Sequence, residues 1–245
     1  FLEINIFQEK KIINTLGELI RKKLLKRALD LSNEFLTNNP NSYEVINLRG
    51  IVYLKLGEYS KSIVEFEKVI NKNPYFPRAY NNLAFVIKRT GGIAEALNIL
   101  HKGLDNNPED NSLRHHLALF SIEKGDLDQA RKLLWQCIIK DRFDWESKYR
   151  LGNLYEKLGK NDLAISMYKR VANSKKYVSR TNVKIADLYK QKGSIDNALI
   201  FYKKALNQKS ISDELSQHIA TNLFELGDSK VARHIFERLL HEKFE

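Results

Sequence analysis

The sequence predicts an all-α protein made of one helix–turn–helix unit repeated along the chain. Three observations predict this fold class. Small residues recur at a fixed step, apolar residues recur at helical spacing, and four prolines and eleven glycines leave little room for long linkers. The step is 34 residues, as from Gly159 to Gly193. The glycines of the predicted turns are Gly57, Gly91, Gly125, Gly159, Gly193 and Gly227.

Residues 148–171 show the first helix and the turn of this unit most plainly. Leu151, Gly152 and Tyr155 fall on one face of a helix, so we expect them to face the core. Gly159 stands where that helix ends, and glycine accepts the positive φ of a helix C-cap at little steric cost. The small residue equivalent to Gly152 is, in other units, Gly50, Ala84, Ala118, Ala186 and Ala220.

The second helix follows the turn at once. Asn161 or Asp162 is expected to cap it, because either side chain accepts from the free N–H groups of a helix start. Ala164, Tyr168 and Val171 then form its inner face. A bulky residue in place of Ala164 would cost roughly 1–3 kcal/mol through overpacking. The residues equivalent to Ala164 are Ala28, Ser62, Ala96, Ala130, Ala198 and Ala232.

This combination resembles the tetratricopeptide repeat (TPR) family, whose unit is a helix–turn–helix of about 34 residues. The resemblance covers nearly the whole chain without an insertion. It implies a right-handed superhelical solenoid, an α-α superhelix in which each unit contacts its neighbours. The predicted repeats 1 to 7 are residues 9–42, 43–76, 77–110, 111–144, 145–178, 179–212 and 213–245, and residues 1–8 are interpreted as the end of a preceding truncated repeat.

The two ends depart from the regular pattern. In repeat 1, Lys23 replaces the turn glycine and Leu16 replaces the small residue. Phe1 and Leu2 match the late second helix of other repeats, with a frayed apolar N-terminus as the alternative. Repeat 7 is too apolar for a water-facing end, so further chain, a partner or a second copy is expected to cover it. Its apolar residues are Ile235, Phe236, Leu239, Leu240 and Phe244.

Only the early repeats end in a proline. Pro40, Pro74 and Pro108 end repeats 1 to 3 by blocking continuation of the second helix. Arg142 stands at that position in repeat 4, and repeats 5 to 7 also lack the proline. Their second helices are therefore expected to run on further.

The net charge of +11 is concentrated in one part of the chain. Residues 145–212 hold 15 lysines and arginines against 5 acidic residues, whereas residues 213–245 hold 4 against 7. Such a local field steers an acidic partner, although a solvated convex face would account for the same lysines. The one cysteine, Cys137, excludes an internal disulfide framework and is expected to be a buried hydrophobic residue.

The sequence leaves the compartment open. No apolar run is long enough to span a bilayer, so direct membrane insertion by this segment is not expected. A cytoplasmic location is slightly favoured over a periplasmic one or one anchored to a membrane through flanking sequence.

By resemblance to the family, the second, fifth, ninth and twelfth positions of each first helix line a concave groove. The fifth, ninth and twelfth positions are mostly apolar in repeats 1 to 4 and mostly polar in repeats 5 and 6. The pattern predicts a protein or peptide partner with hydrophobic anchors followed by an acidic stretch. The alternative is that some of these apolar residues, Ile20, Leu54 and Ile122 above all, pack against neighbouring helices. The candidate partner-binding residues are Ile51, Arg78, Asn81, Phe85, Tyr149, Arg150, Asn153, Arg180 and Lys184.

The sequence favours a non-enzymatic scaffold for assembling protein complexes, with no catalytic residue, metal ligand or cofactor. His115 and His116 are adjacent and point to different faces, and no glycine-rich phosphate loop or paired-cysteine motif is present. Arg180 and Lys184 match one third of the clamp with which the family binds acidic chaperone tails, but the preceding repeats do not match it.

Two other functions stay open. The first is self-assembly into a homo-oligomer through the terminal repeats. The second is non-specific nucleic-acid binding through the basic patch of repeats 5 and 6. Sequence-specific reading of nucleic acid is not expected, because no aromatic residue or arginine recurs at the fifth position of the repeats.

Overall fold

The computed structural model describes residues 2–172, 174, 177–207 and 211–241. Within these residues the chain forms fourteen α-helices and contains no β-strand, which confirms the all-α prediction. The number of helices agrees with seven helix–turn–helix units. The chain divides into two compact units, residues 1–133 and residues 134–245.

The helices follow one another with short connections. Those that begin in the first unit are α1 (Leu2–Arg21), α2 (Leu25–Asn38), α3 (Tyr43–Leu56), α4 (Tyr59–Lys72), α5 (Pro77–Arg89), α6 (Ile93–Asn106), α7 (Asn111–Lys124) and α8 (Leu127–Lys140). Those of the second unit are α9 (Trp145–Lys157), α10 (Asn161–Val171), α11 (Val178–Gln191), α12 (Ile195–Leu206), α13 (Asp213–Glu225) and α14 (Ser229–His241). Odd-numbered helices match the predicted first helices, and even-numbered helices match the second helices.

The turns within the helix pairs have the left-handed backbone that the glycine spacing predicts. The six turn glycines have φ between 67° and 105°. At the same place between α1 and α2, Lys23 has a φ of 59° and is the one described residue other than glycine with a positive φ. A residue with a Cβ atom loses roughly 1–2 kcal/mol in this conformation, so repeat 1 carries strain that the other repeats avoid.

The inner faces pack as predicted. Leu151, Ala164, Tyr168 and Val171 are fully buried. Gly152 lies so close to the Tyr168 ring that a Cβ atom on it would lie 2.5 Å from Cε1 of the tyrosine. The small residue of the first helix therefore leaves the space that the large residue of the second helix fills. Cys137 is also fully buried, as expected.

The expected cap of α10 is wrong. This helix begins at Asn161, so Asn161 and Asp162 lie inside its first turn, and the N-cap residue Lys160 makes no side-chain capping bond. Asp162 instead forms an ion pair with Lys192 at 2.5 Å. In the described part of the chain, side-chain caps are present at six other helix starts, from Ser42, Asp110, Asp126, Asp144, Ser212 and Asp228.

The expectation that second helices without a following proline run on further is also wrong. The helices α10 and α12 span 11 and 12 residues, whereas α4 and α6 span 14 residues each. A backbone bond from Ser174 N–H to the Val171 carbonyl turns the chain directly after α10. A tight turn therefore replaces proline in stopping α10.

The N-terminal helix crosses a predicted boundary. Helix α1 runs without a break past residue 8, so no turn separates residues 1–8 from repeat 1. The assignment of residues 1–8 to a preceding repeat stays a prediction. Phe1, the side chain of Leu2, and Phe244 lie outside the described residues.

Candidate functional site

In the first unit the candidate residues lie on α3 and α5. Ile51 on α3 is half-buried, and Phe85 on α5 keeps 42% of its surface exposed. Arg78 is exposed at the start of α5. Asn81 donates from Nδ2 to Ser112 Oγ at 3.0 Å, while its buried Oδ1 has no hydrogen-bond partner among the described residues. A buried acceptor without a partner costs free energy.

Other polar residues of the first unit bond to each other. Lys88 forms an ion pair with Glu123 at 2.6 Å and lies 4.8 Å from the centre of the Phe120 ring. Asn82 donates to Asn47 at 2.9 Å. These bonds link successive first helices and occupy one donor of each side chain. The alternative that apolar groove positions pack inward holds for Ile20, which is only 8% exposed.

In the second unit two adjoining clefts share Tyr149 and Lys184, and together we call them the second-unit groove. The larger cleft has a volume of about 580 Å³ and is also lined by Asn153, Glu156, Lys157, Asn161 and Gln191. The smaller has a volume of about 300 Å³ and is also lined by Arg180, Val183, Asp187, Leu215 and His218. The structure thus brings together four predicted residues, Tyr149, Asn153, Arg180 and Lys184.

Tyr149 is held in place by two other tyrosines. Its ring stacks on Tyr177 with the centres 5.0 Å apart and the planes at 24°. It also contacts the Tyr168 ring at 5.8 Å. A ring fixed in this way offers apolar contact area to a ligand at a small cost in side-chain entropy.

The hydroxyl of a buried tyrosine reaches the floor of the larger cleft. Tyr168 extends from α10 past Gly152 of α9, and its oxygen lies 2.6 Å from Asn153 Oδ1 and 2.7 Å from Glu156 Oε2. Burial, reinforced by the hydrogen bond to Glu156, raises the pKa of Tyr168 well above its ordinary value. The phenol therefore stays protonated and acts as a donor.

Repeat 6 uses the same device. Tyr202 on α12 donates to Asp187 Oδ1 at 2.5 Å. Burial first and this hydrogen bond second raise the pKa of Tyr202. The same Asp187 oxygen lies 3.0 Å from His218 Nε2. Polar residues of the groove are thus oriented from beneath by buried tyrosines.

The second-unit groove is less basic than the sequence indicates. Lys184 pairs with Glu156 at 2.9 Å. Asp187 adds a second negative charge. Arg180 is exposed and makes no ion pair among the described residues. With Lys157, the groove holds three cations against these two carboxylates, so most of the positive charge of residues 145–212 lies outside it.

Arg150 is not brought together with the other candidates. It lines neither cleft, although Lys184 at the same position of the next repeat lines both. Its guanidinium forms an ion pair with Glu146 at 2.6 Å, and its Nε is buried without a partner among the described residues. A role for Arg150 in binding stays a prediction.

Part of the groove was not predicted from the sequence. The unpredicted residues are Tyr177, which supports Tyr149, and Leu215 and His218 from the next first helix. Tyr168 was predicted only as a core residue, without a role for its hydroxyl. One pattern was available: tyrosine holds this position of the second helix only in repeats 5 and 6, where the ninth position is polar.

Family models match three stretches of the chain. A TPR repeat model matches residues 50–91, and a tetratricopeptide repeat model matches residues 146–176 and 179–210. The chain is a tetratricopeptide repeat protein. Proteins of this family are typically non-enzymatic interaction scaffolds, and we assign this TPR chain to protein–protein interaction.

Solved structures of TPR proteins share the fold at low sequence identity. A structure of Pseudomonas aeruginosa PilF has a TM-score of 0.67 and 16% identity, covering 94% of this chain and 96% of that chain. A crystal structure of MamA has a TM-score of 0.57 and 23% identity, covering 64% and 92%. A chain of the APC/C hetero-tetramer Cut9–Hcn1 has a TM-score of 0.62 and 17% identity, and the match covers 92% of this chain and 45% of that chain. A comparison with curated proteins found no match.

Among the described residues, none of the helices combines the length and the apolar character needed to cross a bilayer.

Proposed function

We propose that the second-unit groove binds a segment of a protein partner in an extended or helical form. One observation carries the proposal: two adjoining clefts bring Tyr149, Asn153, Arg180 and Lys184 together on the successive first helices α9 and α11. Helical grooves of this kind take peptides through a few apolar anchors and a small number of charge contacts.

The apolar anchor of the partner contacts Tyr149, Val183 and Leu215. Val183 is almost fully buried, and Leu215 is half-buried on α13. Since Tyr149 is already fixed by Tyr177, little side-chain entropy is lost when a partner covers it. Aromatic residues of this sort commonly dominate the binding energy of an interface.

The acidic part of the partner contacts Arg180. This side chain is exposed and has no carboxylate partner among the described residues, and a guanidinium binds a carboxylate through two parallel hydrogen bonds. Lys184 and Asn153 already bond to neighbouring groups, so they position the partner backbone rather than adding charge. A single carboxylate next to an apolar residue therefore suits the groove better than a long acidic run.

In the first unit, Ile51 and Phe85 are proposed as further apolar contacts. Exposed Arg78 adds a positive charge one helical turn before Asn81 on α5, and the partly exposed Asn81 is proposed as a polar contact.

Peptide selection followed by direct binding tests the second-unit groove. Peptides are selected from a phage-displayed library against the wild-type chain, and their affinities are then measured by fluorescence anisotropy. The variant Tyr149→Ala/Arg180→Glu should bind them at least about tenfold more weakly, since one aromatic anchor and one charge contact are lost. The control is Tyr149→Phe/Arg233→Glu, which keeps the ring and moves the charge change to an exposed residue of α14.

Equal affinity of the wild-type chain and of Tyr149→Ala/Arg180→Glu would refute the proposed groove. Equal weakening by both variants would refute a specific role for Arg180 and the ring of Tyr149. Circular dichroism of each variant establishes that the helices are intact.

Self-assembly is the second candidate function, and an apolar cleft on repeat 7 favours it. This cleft has a volume of about 330 Å³ and is lined by Asp213, Gln217, Phe236, Leu239 and Leu240. Leu240 is 57% exposed, although it lies in a largely apolar neighbourhood. Light scattering over a concentration series should show association that Leu240→Glu abolishes. A mass that stays monomeric at all concentrations would exclude this function.

A further inference from the structure

Four lysines of repeats 5 and 6 are neutralised within the chain. Each ammonium group forms an ion pair with a carboxylate of another helix or turn. The pairs are Lys184 with Glu156, Lys190 with Glu225, Lys192 with Asp162, and Lys203 with Asp228. These lysines add little to the field that a partner meets.

Two other lysines converge on a pair of aromatic rings instead. Tyr189 and Phe201 stack with ring centres 5.6 Å apart and planes at 25°. Lys169 Nζ lies 5.5 Å from the Tyr189 centre and 5.7 Å from the Phe201 centre, and Lys204 Nζ lies 4.7 Å from the Phe201 centre. We call these four residues the cation–aromatic cluster. In the described part of the chain, neither ammonium forms an ion pair with a carboxylate.

The cluster is separate from the groove. Its residues come from α10, the end of α11 and α12, and none of them lines either cleft of the second-unit groove. Lys169 and Lys204 are exposed, whereas both rings are half-buried. Ligands therefore reach the charges more readily than the ring faces.

The ammonium groups of the cluster are positioned before any ligand arrives. Lys169 donates to the Tyr189 hydroxyl at 3.0 Å, which uses one of its three N–H donors and leaves two. Contact with the rings holds both lysines by cation–π attraction. Exposed lysines usually lose considerable side-chain entropy on binding, and this arrangement reduces that loss.

An apolar contact lies beside the charges. Ile200 is 48% exposed on α12 and precedes Lys204 by one helical turn, so the two side chains share a face. The surface consequently combines two unneutralised cations with one exposed aliphatic side chain. This combination complements carboxylates interspersed with an apolar residue.

We propose that the cation–aromatic cluster is a second docking surface, which binds an acidic segment of a protein. Charge complementarity selects an anion, because two cations lie together without a counter-charge. The two rings stack on each other and are half-buried, so they offer no open faces for the base stacking that binds single-stranded nucleic acid. One exposed isoleucine is too little apolar surface to anchor the chain on a membrane. An acidic peptide with an aliphatic residue satisfies all three observations.

A designed acidic peptide tests this surface without knowledge of the natural partner. The probe is a fluorescein-labelled peptide of glutamates with a leucine at every third position, and its binding to the full chain is followed by anisotropy. We expect Lys169→Gln/Lys204→Gln to weaken binding by about tenfold or more, as loss of two close charge contacts does. The control Lys192→Gln/Lys203→Gln removes the same charge from lysines that are already paired, and should change affinity less than about threefold.

Three outcomes would overturn the proposal. Equal weakening by both variants would reduce the effect to net charge, and unchanged binding by the cluster variant would place the acidic segment elsewhere. Tighter binding of oligothymidylate or of phosphatidylglycerol vesicles, lost in the same cluster variant, would reassign the surface to nucleic acid or lipid. Because Tyr149 and Arg180 stay intact in both variants, failure here leaves the peptide-groove proposal untouched.

Discussion

Repeats 2 and 5, one in each compact unit, pack their two helices in the same way, around buried aromatic rings that differ by one oxygen atom. A Cβ atom on Gly50 would lie 2.6 Å from Cε1 of Phe66, and one on Gly152 would lie 2.5 Å from Cε1 of Tyr168. Both rings are fully buried against the glycine of the first helix. In repeat 5 alone the ring carries a hydroxyl, which bonds at the groove surface.

The difference explains why the groove changes character between the two repeats. At the ninth and twelfth positions, repeat 2 has Ile51 and Leu54, whereas repeat 5 has Asn153 and Glu156. A buried hydroxyl needs a hydrogen-bond partner, and a buried phenyl ring needs none. Groove polarity is therefore coupled to the core residue beneath it, and exchanging features between the two repeats measures that coupling.

The largest effect should come from filling the close approach. Gly152→Ala and Gly50→Ala each force a methyl group against a buried ring. This should cost about 3 kcal/mol of unfolding free energy, the upper end of the usual cost of overpacking. Better helix propensity returns only about 1 kcal/mol of this. Urea unfolding followed by circular dichroism measures the net loss. Gly17→Ala is the control, because nothing lies within 4 Å of its Cβ position, and it should stabilise the chain. A neutral Gly152→Ala would contradict the packing described for both repeats.

An intermediate effect should come from exchanging the oxygen itself. Tyr168→Phe removes the donor to Glu156, and Phe66→Tyr buries a hydroxyl among apolar groove residues, so each should cost about 1–2 kcal/mol. Adding Ile51→Asn to Phe66→Tyr should restore part of the loss by supplying a polar partner. A double-mutant cycle in urea measures the coupling. Strict additivity would show that the groove and core residues act independently.

The smallest effect should come from the turn, where repeat 1 departs from repeats 2 and 5. Lys23→Gly should stabilise the chain by about 1 kcal/mol, since it relieves a positive φ on a residue with a Cβ atom. The reverse change, Gly159→Ala, should destabilise it by a similar amount, although nothing lies within 4 Å of that Cβ position. Shifts in the thermal midpoint report both. Lys23→Gly should raise the midpoint and Gly159→Ala should lower it. Shifts of the same sign would exclude backbone strain as the cause of the stability difference.

The sequence was sufficient for the features that local chemistry fixes. The turn glycines, the small residues of the first helices and the inner faces were all predicted from the 34-residue step, because each depends only on backbone conformation or close packing. Resemblance to the TPR family placed Tyr149, Asn153, Arg180 and Lys184 on one groove, and the two clefts bring the four together. Arg150 was predicted with them, but it pairs with Glu146 and lines neither cleft.

The remaining features depend on partners that are distant in the sequence. The neutralisation of Lys184 by Glu156 joins two repeats, and the support of Tyr149 by Tyr177 crosses a whole helix and turn. Counting charges along residues 145–212 therefore overestimated how basic the groove is. The prediction of a cap for α10 was wrong for a related reason. Asp162 lies inside the first turn of α10 and pairs with Lys192, which is distant in the sequence.

The burial of Cys137 has a practical consequence for following motion in this chain. It is the sole cysteine and has no exposed surface, so a thiol reagent can react with it only while α8 is transiently unpacked. The rate of alkylation then reports how often that opening occurs, much as amide exchange does for a backbone group. Alkylation of Cys137 thus measures this opening at one site of the native protein without an engineered label. A ligand that slows the opening lowers the rate of alkylation.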